Sequence, residues 1–214
     1  MKWYYIVAMA SAVLCFSVFV LQAIYLAMSG MPKDFSKPAG SVSRGFLYSM
    51  TTAMMPNNKE SAYKHLPTYT AGVLYHIGSL LALLFFVWVV VTIFTDFILP
   101  PVIGLVLVVV LAVSSFCGVA LLVKRIVKRE LRLLSSADDY MSNAITTVTH
   151  IATLCFICFG VCAEYLYYLT VSLFFIWLPF GKTKHLLYFF FARLHLGFFY
   201  GRRGCWPVKR EEKK

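Results

Sequence analysis

The chain alternates between long apolar runs and shorter polar stretches. A hydrocarbon core about 30 Å thick needs about 20 apolar residues in a helix, and three runs reach that length: residues 3–28, 69–97 and 102–123. A fourth run, residues 139–180, would be about twice as long as the core if it formed one helix with a rise of about 1.5 Å per residue. We therefore predict a hairpin of two shorter spans, 140–160 and 165–180, with its turn between Gly160 and Tyr165.

Polar segments connect these runs. Residues 30–68 are interrupted by prolines and glycines and contain no apolar run long enough to span a membrane, and residues 124–138 are rich in Lys and Arg. The first run is longer than the apolar core of about 7–15 residues that is usual for a cleaved signal peptide. The sequence thus predicts an all-α integral membrane protein, a single membrane domain over residues 1–214 built as a bundle of about five transmembrane helices.

Composition and charge support this class and predict an orientation. Hydrophobic residues make up 60% of the chain, and the formal net charge is +11. Nucleic-acid binding does not explain the charge, because the aromatic residues lie inside the apolar runs and are not interleaved with the cations. With five spans, the loops 30–68 and 124–138 and the tail 181–214 share one side, which holds 19 of the 20 Lys and Arg residues. The positive-inside rule then places the N-terminus outside and the C-terminus in the cytoplasm. We expect residues 186–200 to form an interfacial helix or a docking surface for a cytoplasmic subunit.

Two histidines suggest a cofactor. His76 lies about two turns inside the second predicted span, and His185 follows the fifth. Because these spans run antiparallel, we expect the two imidazoles at similar depth, where they could ligate one haem iron axially. Two glycines would leave room for the haem ring and two lysines would pair with its propionates: Gly72, Gly78, Lys182 and Lys184. The alternative is two interfacial histidines that are hydrogen-bonded to backbone or lipid headgroups.

Four stretches carry a family resemblance: residues 72–78, residues 134–140, residues 178–185 with the sequence Leu-Pro-Phe-Gly-Lys-Thr-Lys-His, and residues 198–207. The chain resembles the cytochrome b (gamma) subunit of respiratory nitrate reductase and, most closely, the membrane subunits of electron-transfer complexes of the high-molecular-weight cytochrome c type. In the nitrate reductase subunit four histidines hold two b haems. Phe86 and Tyr167 would stand at the second pair here, so the resemblance implies one haem b, held by His76 and His185.

The resemblance also implies a function. The chain would anchor a respiratory complex in the lipid bilayer of a bacterial inner membrane. It would transfer electrons between a quinone, such as menaquinone, and a cytoplasmic or membrane-associated iron–sulfur subunit. Other membrane subunits and a periplasmic multihaem cytochrome c are further partners that it implies. The redox chemistry would belong to haem and quinone, and the chain would supply their binding sites.

Several other residues leave alternatives open. His150, in the fourth predicted span, would be a replacement ligand, a quinone partner or a structural histidine bonded to a neighbouring helix. His65 and His195, near the predicted cytoplasmic interface, would contact headgroups or hydrogen-bond a quinone. Glu164 and Asp96 are the acids on the predicted outer side, and either would carry protons for a quinone or cap a helix end.

Two other functions compete with electron transfer through haem. A haem-free transporter or channel subunit is disfavoured, because no charged pathway lies within the predicted spans. A thiol–quinone oxidoreductase would use Cys155 and Cys158, although small residues that pack a helix interface explain this C-x-x-C spacing more simply. The sequence contains no C-x-x-C-H, so we expect no c-type haem on this chain.

Overall fold

The structure is a computed structural model that describes residues 2–31, 33–59, 62–95 and 100–208. Every regular element in these ranges is helical. The α-helices described there are, in chain order, α1 (Trp3–Met28), α2 (Val42–Met50), α3 (Leu66–Phe94), α4 (Pro101–Val127), α5 (Arg129–Leu133), α6 (Ala137–Phe159), α7 (Val161–Trp177) and α8 (His185–Arg202). Short 3-10 helices at Thr52–Met54, Pro56–Asn58, Ala62–His65 and Lys182–Lys184 complete the description.

Four of these helices, α1, α3, α4 and α6, are each long and apolar enough to cross a membrane. A fifth span is counted if α7 and the helical stretch Lys182–Arg202 are taken together as one broken span. The prediction of an all-helical chain with several helices long and apolar enough to span a membrane is therefore confirmed for the described residues. The orientation of these helices in the membrane stays a prediction.

The ends of α4 follow local chemistry. Pro101 is its first residue, a position at which proline gives up no helical hydrogen bond. The helix continues past the predicted end at residue 123, and its last turn contains Lys124 and Arg125, whose charges interact favourably with the free carbonyl groups there. The predicted loop 124–138 is thus partly helical and includes α5. The end of the second predicted span, with Asp96, lies outside the described residues.

The hairpin between α6 and α7 has a tighter turn than the sequence suggests. α6 begins with a capping box in which Ser136 and Asp139 exchange backbone and side-chain hydrogen bonds. It ends at Gly160, whose φ of +54° is a conformation that residues with a Cβ rarely adopt. α7 starts at the next residue, Val161, so the turn lies at the first position of the predicted interval 160–165.

The chain forms two compact units. The first unit contains residues 1–17 and 67–183, and the second contains residues 18–66 and 184–214. A single membrane domain over residues 1–214 stays a prediction. Each unit is described by itself below.

In the first unit, small residues let α3, α4 and α6 pack closely. A Cβ added at Gly78 of α3 would overlap Ser114 of α4, and a Cβ added at Gly118 of α4 would overlap Tyr75 and Thr147. The hydroxyls of Tyr75 and Thr147 lie 2.9 Å apart across the contact between α3 and α6. Lipid tails are as apolar as the helices, so close packing and interhelical hydrogen bonds are what stabilise such a bundle.

The second unit contains an antiparallel pair formed by α2 and α8. The missing Cβ of Gly45 in α2 makes room for the backbone of Gly197 and Gly201 in α8. One turn along, the Ser49 hydroxyl donates to the carbonyl oxygen of Arg193 at 3.0 Å. Hydropathy does not predict this pair, because residues 30–68 are too polar to suggest a packed helix. The sequence signal is the four-residue spacing of small residues on both helices.

A salt bridge joins the segment before α2 to the end of α8. Arg203 Nε donates to Asp34 Oδ2 at 3.1 Å, and the Arg202 guanidinium donates to the Ser36 carbonyl oxygen at 3.0 Å. The backbone N–H of Ser36 in turn donates to Asp34 Oδ1 at 3.0 Å. The hydrogen bond from Arg203 stabilises the Asp34 carboxylate most, and the bonds from Ser36 add to it. Together they hold the pKa of Asp34 well below its usual range.

The variant Asp34→Asn tests this contact through its pH dependence. The folded pKa of Asp34 lies below the unfolded value of about 3.9, so the carboxylate contributes its full stability above about pH 4 and loses it as the pH falls toward the folded pKa. We therefore expect the Ser36 amide to exchange with deuterium faster in the variant than in the wild type at about pH 6. This difference should shrink below about pH 4.

Hydrogen exchange read by mass spectrometry on the peptide around Ser36 measures the effect, with rates corrected for intrinsic exchange. Glu130→Gln, an acid-to-amide change in the first unit, is the control and should leave this peptide unchanged. An Asp34→Asn difference that is equally large at about pH 6 and about pH 2.5 would contradict the assignment.

Candidate functional site

The two proposed haem ligands belong to different units. His76 is an exposed residue of α3 in the first unit. His185 is the exposed first residue of α8 in the second unit. Two imidazoles are the donor set that axial ligation of a b haem uses, so the chemistry of these residues fits the group. Their ligation of one haem stays a prediction.

Some of the residues expected around the haem make other contacts in the structure. Ser114 fills the space beside Gly78, so this glycine permits the close approach of α4 and does not hold open a cavity, which corrects its predicted role. A Cβ at Gly72, in contrast, would meet no heavy atom within 4 Å. Gly72 therefore remains compatible with a bulky neighbour.

The two lysines expected at the propionates also differ from each other. Lys182 Nζ lies 2.6 Å from Asp139 Oδ2, and the Lys182 backbone N–H donates to Asp138 Oδ1 at 3.0 Å. In the first unit this lysine thus pairs with a carboxylate of the protein, which differs from its predicted pairing with a propionate. Lys184, in the second unit, places its ammonium 5.8 Å from the ring centre of Tyr188 and is exposed.

His150 is fully buried in the first unit, with 0% of its surface exposed. Its Nε2 lies 3.1 Å from the Ser79 hydroxyl of α3, and its Nδ1 lies 3.1 Å from the Ser114 hydroxyl of α4. Both ring nitrogens are therefore occupied by side chains of neighbouring helices. This geometry favours the structural alternative for His150 over ligation of iron or quinone.

The hydrogen bonds around His150 also define its tautomer. The Ser79 hydroxyl donates to the Tyr75 carbonyl oxygen at 2.9 Å, so its single hydrogen is used and its oxygen accepts from Nε2–H of His150. A neutral imidazole has one N–H, and its other nitrogen accepts. Nδ1 therefore accepts from Ser114, whose contact with the same carbonyl is longer, at 3.3 Å. A charged imidazolium would be costly at this depth.

Phe86 and Tyr167, which the resemblance is expected to place at the second histidine pair, both make aromatic contacts. The Phe86 ring contacts the Phe175 ring edge to face at 4.8 Å. Tyr167 is fully buried and stacks on Phe156, with ring centres 4.7 Å apart. Both residues are parts of a packed aromatic core, and the loss of a second haem stays a prediction.

Glu164 is the centre of a polar cluster at the start of α7. Only 6% of its surface is exposed. Lys2 Nζ lies 2.5 Å from its Oε2, the Tyr4 hydroxyl donates to the same oxygen at 3.2 Å, and the Tyr5 hydroxyl donates to Oε1. The first turn of a helix also favours a negative charge. In return, the hydrogen bond to Glu164 raises the pKa of Lys2.

A cavity of about 590 Å³ opens beside Glu164 within the first unit. Its walls come from α1, α3, α6 and α7, and half of the lining residues are aromatic: Tyr5, Phe85, Trp88, Phe156 and Tyr168. The Trp88 indole nitrogen is buried and has no hydrogen-bond partner among the described residues. The cavity therefore combines apolar walls with a carboxylate, and one of its lining residues, Trp88, carries a buried N–H that has no partner among the described residues.

The sequence analysis selects Glu164 but misses Tyr5 and Trp88. The tyrosine pair next to Lys2 at the start of the first span was a usable signal, because phenol hydroxyls at a membrane interface need polar partners. The sequence carries no comparable signal for Trp88, because a tryptophan inside an apolar run is common. Only the contact between helices shows that its N–H is left without a partner.

The remaining candidates lie elsewhere. His65 is exposed at the end of the 3-10 helix Ala62–His65, and His195 is half-buried on α8. Their roles as quinone ligands stay predictions. Cys155 and Cys158 are free thiols near the C-terminal end of α6, where the helix dipole disfavours the thiolate that a thiol–quinone enzyme needs.

Comparisons with known proteins add no family assignment. The chain matches no protein-family model, no curated protein and no solved structure. Among the described residues, no group of three or more His, Cys, Asp or Glu side chains could hold a metal ion. The resemblance to cytochrome b subunits therefore stays an expectation, and functional argument has to start from the cavity and its residues.

Two glycine variants on α3 separate the structural role from the predicted haem role. Gly78→Ala should destabilise the protein by about 1–3 kcal/mol, because its Cβ would force α3 and α4 apart. Gly72→Ala should be neutral or slightly stabilising, because its Cβ has open space and alanine favours the helix. Thermal unfolding in detergent, followed by circular dichroism, measures both changes. Equal stability of the two variants would show that the close contact at Gly78 is wrong.

Proposed function

We propose that the chain is the membrane subunit of a quinone-linked electron-transfer complex, with its quinone site in the cavity beside Glu164. The observation that carries this proposal is the combination of aromatic walls with a buried carboxylate and an unpaired indole N–H. A cavity of about 590 Å³ lies within the range of about 300–1,000 Å³ that is typical of small-molecule sites.

The shape and polarity of the cavity suit a quinone headgroup. A quinone is a flat ring, and the rings of Phe85 and Phe156 offer apolar faces to it. Its two carbonyl oxygens accept hydrogen bonds, and the Trp88 indole N–H is a donor that lacks an acceptor among the described residues. Binding would satisfy this buried donor, which otherwise costs free energy.

Glu164 supplies the proton chemistry in this proposal. Oxidation of a quinol releases two protons with two electrons, and a carboxylate within the cavity can accept a proton from a ring hydroxyl. In the reverse direction the same carboxyl group returns it. Lys2, Tyr4 and Tyr5 hold the carboxylate in place between these events.

His76 and His185 are the proposed axial ligands of one haem b. Bound there, the haem would supply a carrier for single electrons between the quinone and a partner protein. The proposed orientation, with the basic loops and tail in the cytoplasm of a bacterial cell, presents cationic side chains to a soluble iron–sulfur subunit. A periplasmic multihaem cytochrome c and further membrane subunits belong to the same proposal as partners.

The quinone site is tested by Trp88→Phe, which keeps an aromatic wall but removes the N–H. Loss of one hydrogen bond, about 1.4 kcal/mol, should weaken the binding of a short-chain menaquinone about tenfold in calorimetric titrations in detergent. Trp3→Phe is the matched control, since Trp3 is exposed and does not line the cavity. Unchanged affinity in Trp88→Phe would remove the indole from the site.

Glu164→Gln tests the proton step separately from binding. It should bind the menaquinone within about threefold of the wild type yet oxidise the menaquinol at least about tenfold more slowly, because an amide cannot take the proton. Glu130→Gln, an exposed acid outside the cavity, is the control. Wild-type turnover in Glu164→Gln would exclude the carboxylate as the proton acceptor.

Haem content is a third, independent readout. The purified protein should give a b-type absorption spectrum on reduction, with about one haem per chain. His76→Ala and His185→Ala should each lose that spectrum, whereas His65→Ala, which also removes an exposed imidazole, should retain it. Full haem content in both ligand variants would refute the assignment, and a colourless wild type would favour the transporter alternative.

A further inference from the structure

A second cavity lies in the second unit, and none of its lining residues lines the first cavity. It is a cleft of about 640 Å³ lined by α2, by the turns that follow it, and by residues 207–208 near the C-terminus. The polar residues that line it are Arg44, Tyr48, Thr51, Thr52 and Asn58. No carboxylate lines the described wall. We propose that this cleft binds the phosphate headgroup of an anionic phospholipid.

The polar wall is built to receive an anion. Arg44 is exposed, and its guanidinium makes no hydrogen bond or ion pair with the described residues, so its planar set of N–H donors is available for a phosphate. The Asn58 amide donates one hydrogen to the Thr52 carbonyl oxygen at 2.7 Å. This bond fixes the turn and leaves the second amide hydrogen for a ligand.

The charge of the second unit favours the same class of ligand. It holds 13 of the 20 Lys and Arg residues and 4 of the 9 Asp and Glu residues, which gives it a formal charge of +9 out of +11 for the chain. Cationic segments next to a membrane attract anionic lipids, and the attraction grows with the number of basic residues. An acidic headgroup is therefore preferred over a zwitterionic one.

Apolar side chains at the edge of the cleft distinguish a lipid from free phosphate. Leu47 is 64% exposed and Val208 is 56% exposed, although both line the cleft. Free phosphate would gain nothing from them, whereas the glycerol and first acyl carbons of a lipid would cover them. A protein with several membrane-spanning helices is surrounded by lipids of this kind.

The cleft is held in shape by the packing of its own unit. The Tyr48 ring lies 5.4 Å from the Trp206 ring, which also contacts the Tyr200 ring of α8 at 4.7 Å. These contacts anchor the chain just before Pro207 and Val208. Because α2 and α8 also meet through glycines, the walls are positioned before a ligand arrives, which reduces the entropy lost on binding.

The test uses the full chain in detergent, with three probes: dioctanoyl-phosphatidylglycerol, dioctanoyl-phosphatidylcholine and inorganic phosphate. We expect native mass spectrometry to show that phosphatidylglycerol binds at least about tenfold more tightly than either other probe. Arg44→Gln should weaken phosphatidylglycerol binding about tenfold or more, and Arg44→Lys should restore part of it. Leu47→Ser should weaken lipid binding further without affecting phosphate.

Lys33→Gln is the matched control, because it removes one exposed positive charge of the same unit outside the cleft. It should leave phosphatidylglycerol affinity within about twofold of the wild type. If Lys33→Gln and Arg44→Gln lost phosphatidylglycerol affinity equally, the effect would come from net charge alone, and the proposed site would be wrong. Equal binding of phosphatidylcholine, or of inorganic phosphate, would overturn the lipid assignment. These outcomes do not depend on haem or quinone binding.

Discussion

The first unit depends on the burial of His150 between two serine hydroxyls. An imidazole at membrane depth is tolerable only when both of its nitrogens have partners, because each unsatisfied polar group there costs free energy. Ser79 and Ser114 meet this need from two different helices, at 3.1 Å each. That geometry requires α3 and α4 to approach closely, and the missing side chain of Gly78 permits the approach. One buried polar group thus sets the spacing of three helices.

The same spacing has consequences at the end of the unit where Glu164 lies. α6 carries the His150 contact and continues to the sharp turn at Gly160, so the start of α7 is placed by a helix whose position is already fixed. Glu164 follows within the first turn of α7 and meets the beginning of α1 through Lys2. The aromatic cavity fills the gap between these helix ends. Its shape follows from packing, whereas its chemistry comes from a few polar groups.

Hydropathy was sufficient to predict the long apolar helices and the hairpin of α6 and α7. Helix length and a flexible turn residue are properties of the local sequence, so they can be recognised without knowledge of the packing. It was insufficient for α2, whose contact with α8 depends on glycines and serines that carry no hydropathy signal. The histidines show the same limit. Spacing cannot reveal that the partners of His150 are serines on α3 and α4, or that Ser114 occupies the space beside Gly78. Glu164 could be singled out because it is one of only two acids on the predicted outer side, whereas its burial and its partners depend on the packing.

The pairing of Glu164 with Lys2 determines how a proton could be handled in the cavity. While the carboxylate is charged, the pair has no net charge and three donors surround it. Protonation of Glu164 leaves the Lys2 ammonium without its counter-ion, although half of that side chain, 51%, is exposed to solvent. The Lys2 side of the pair is thus the side that solvent reaches. In the proposed quinone site, this exposed side is the direction in which a proton held by Glu164 would leave.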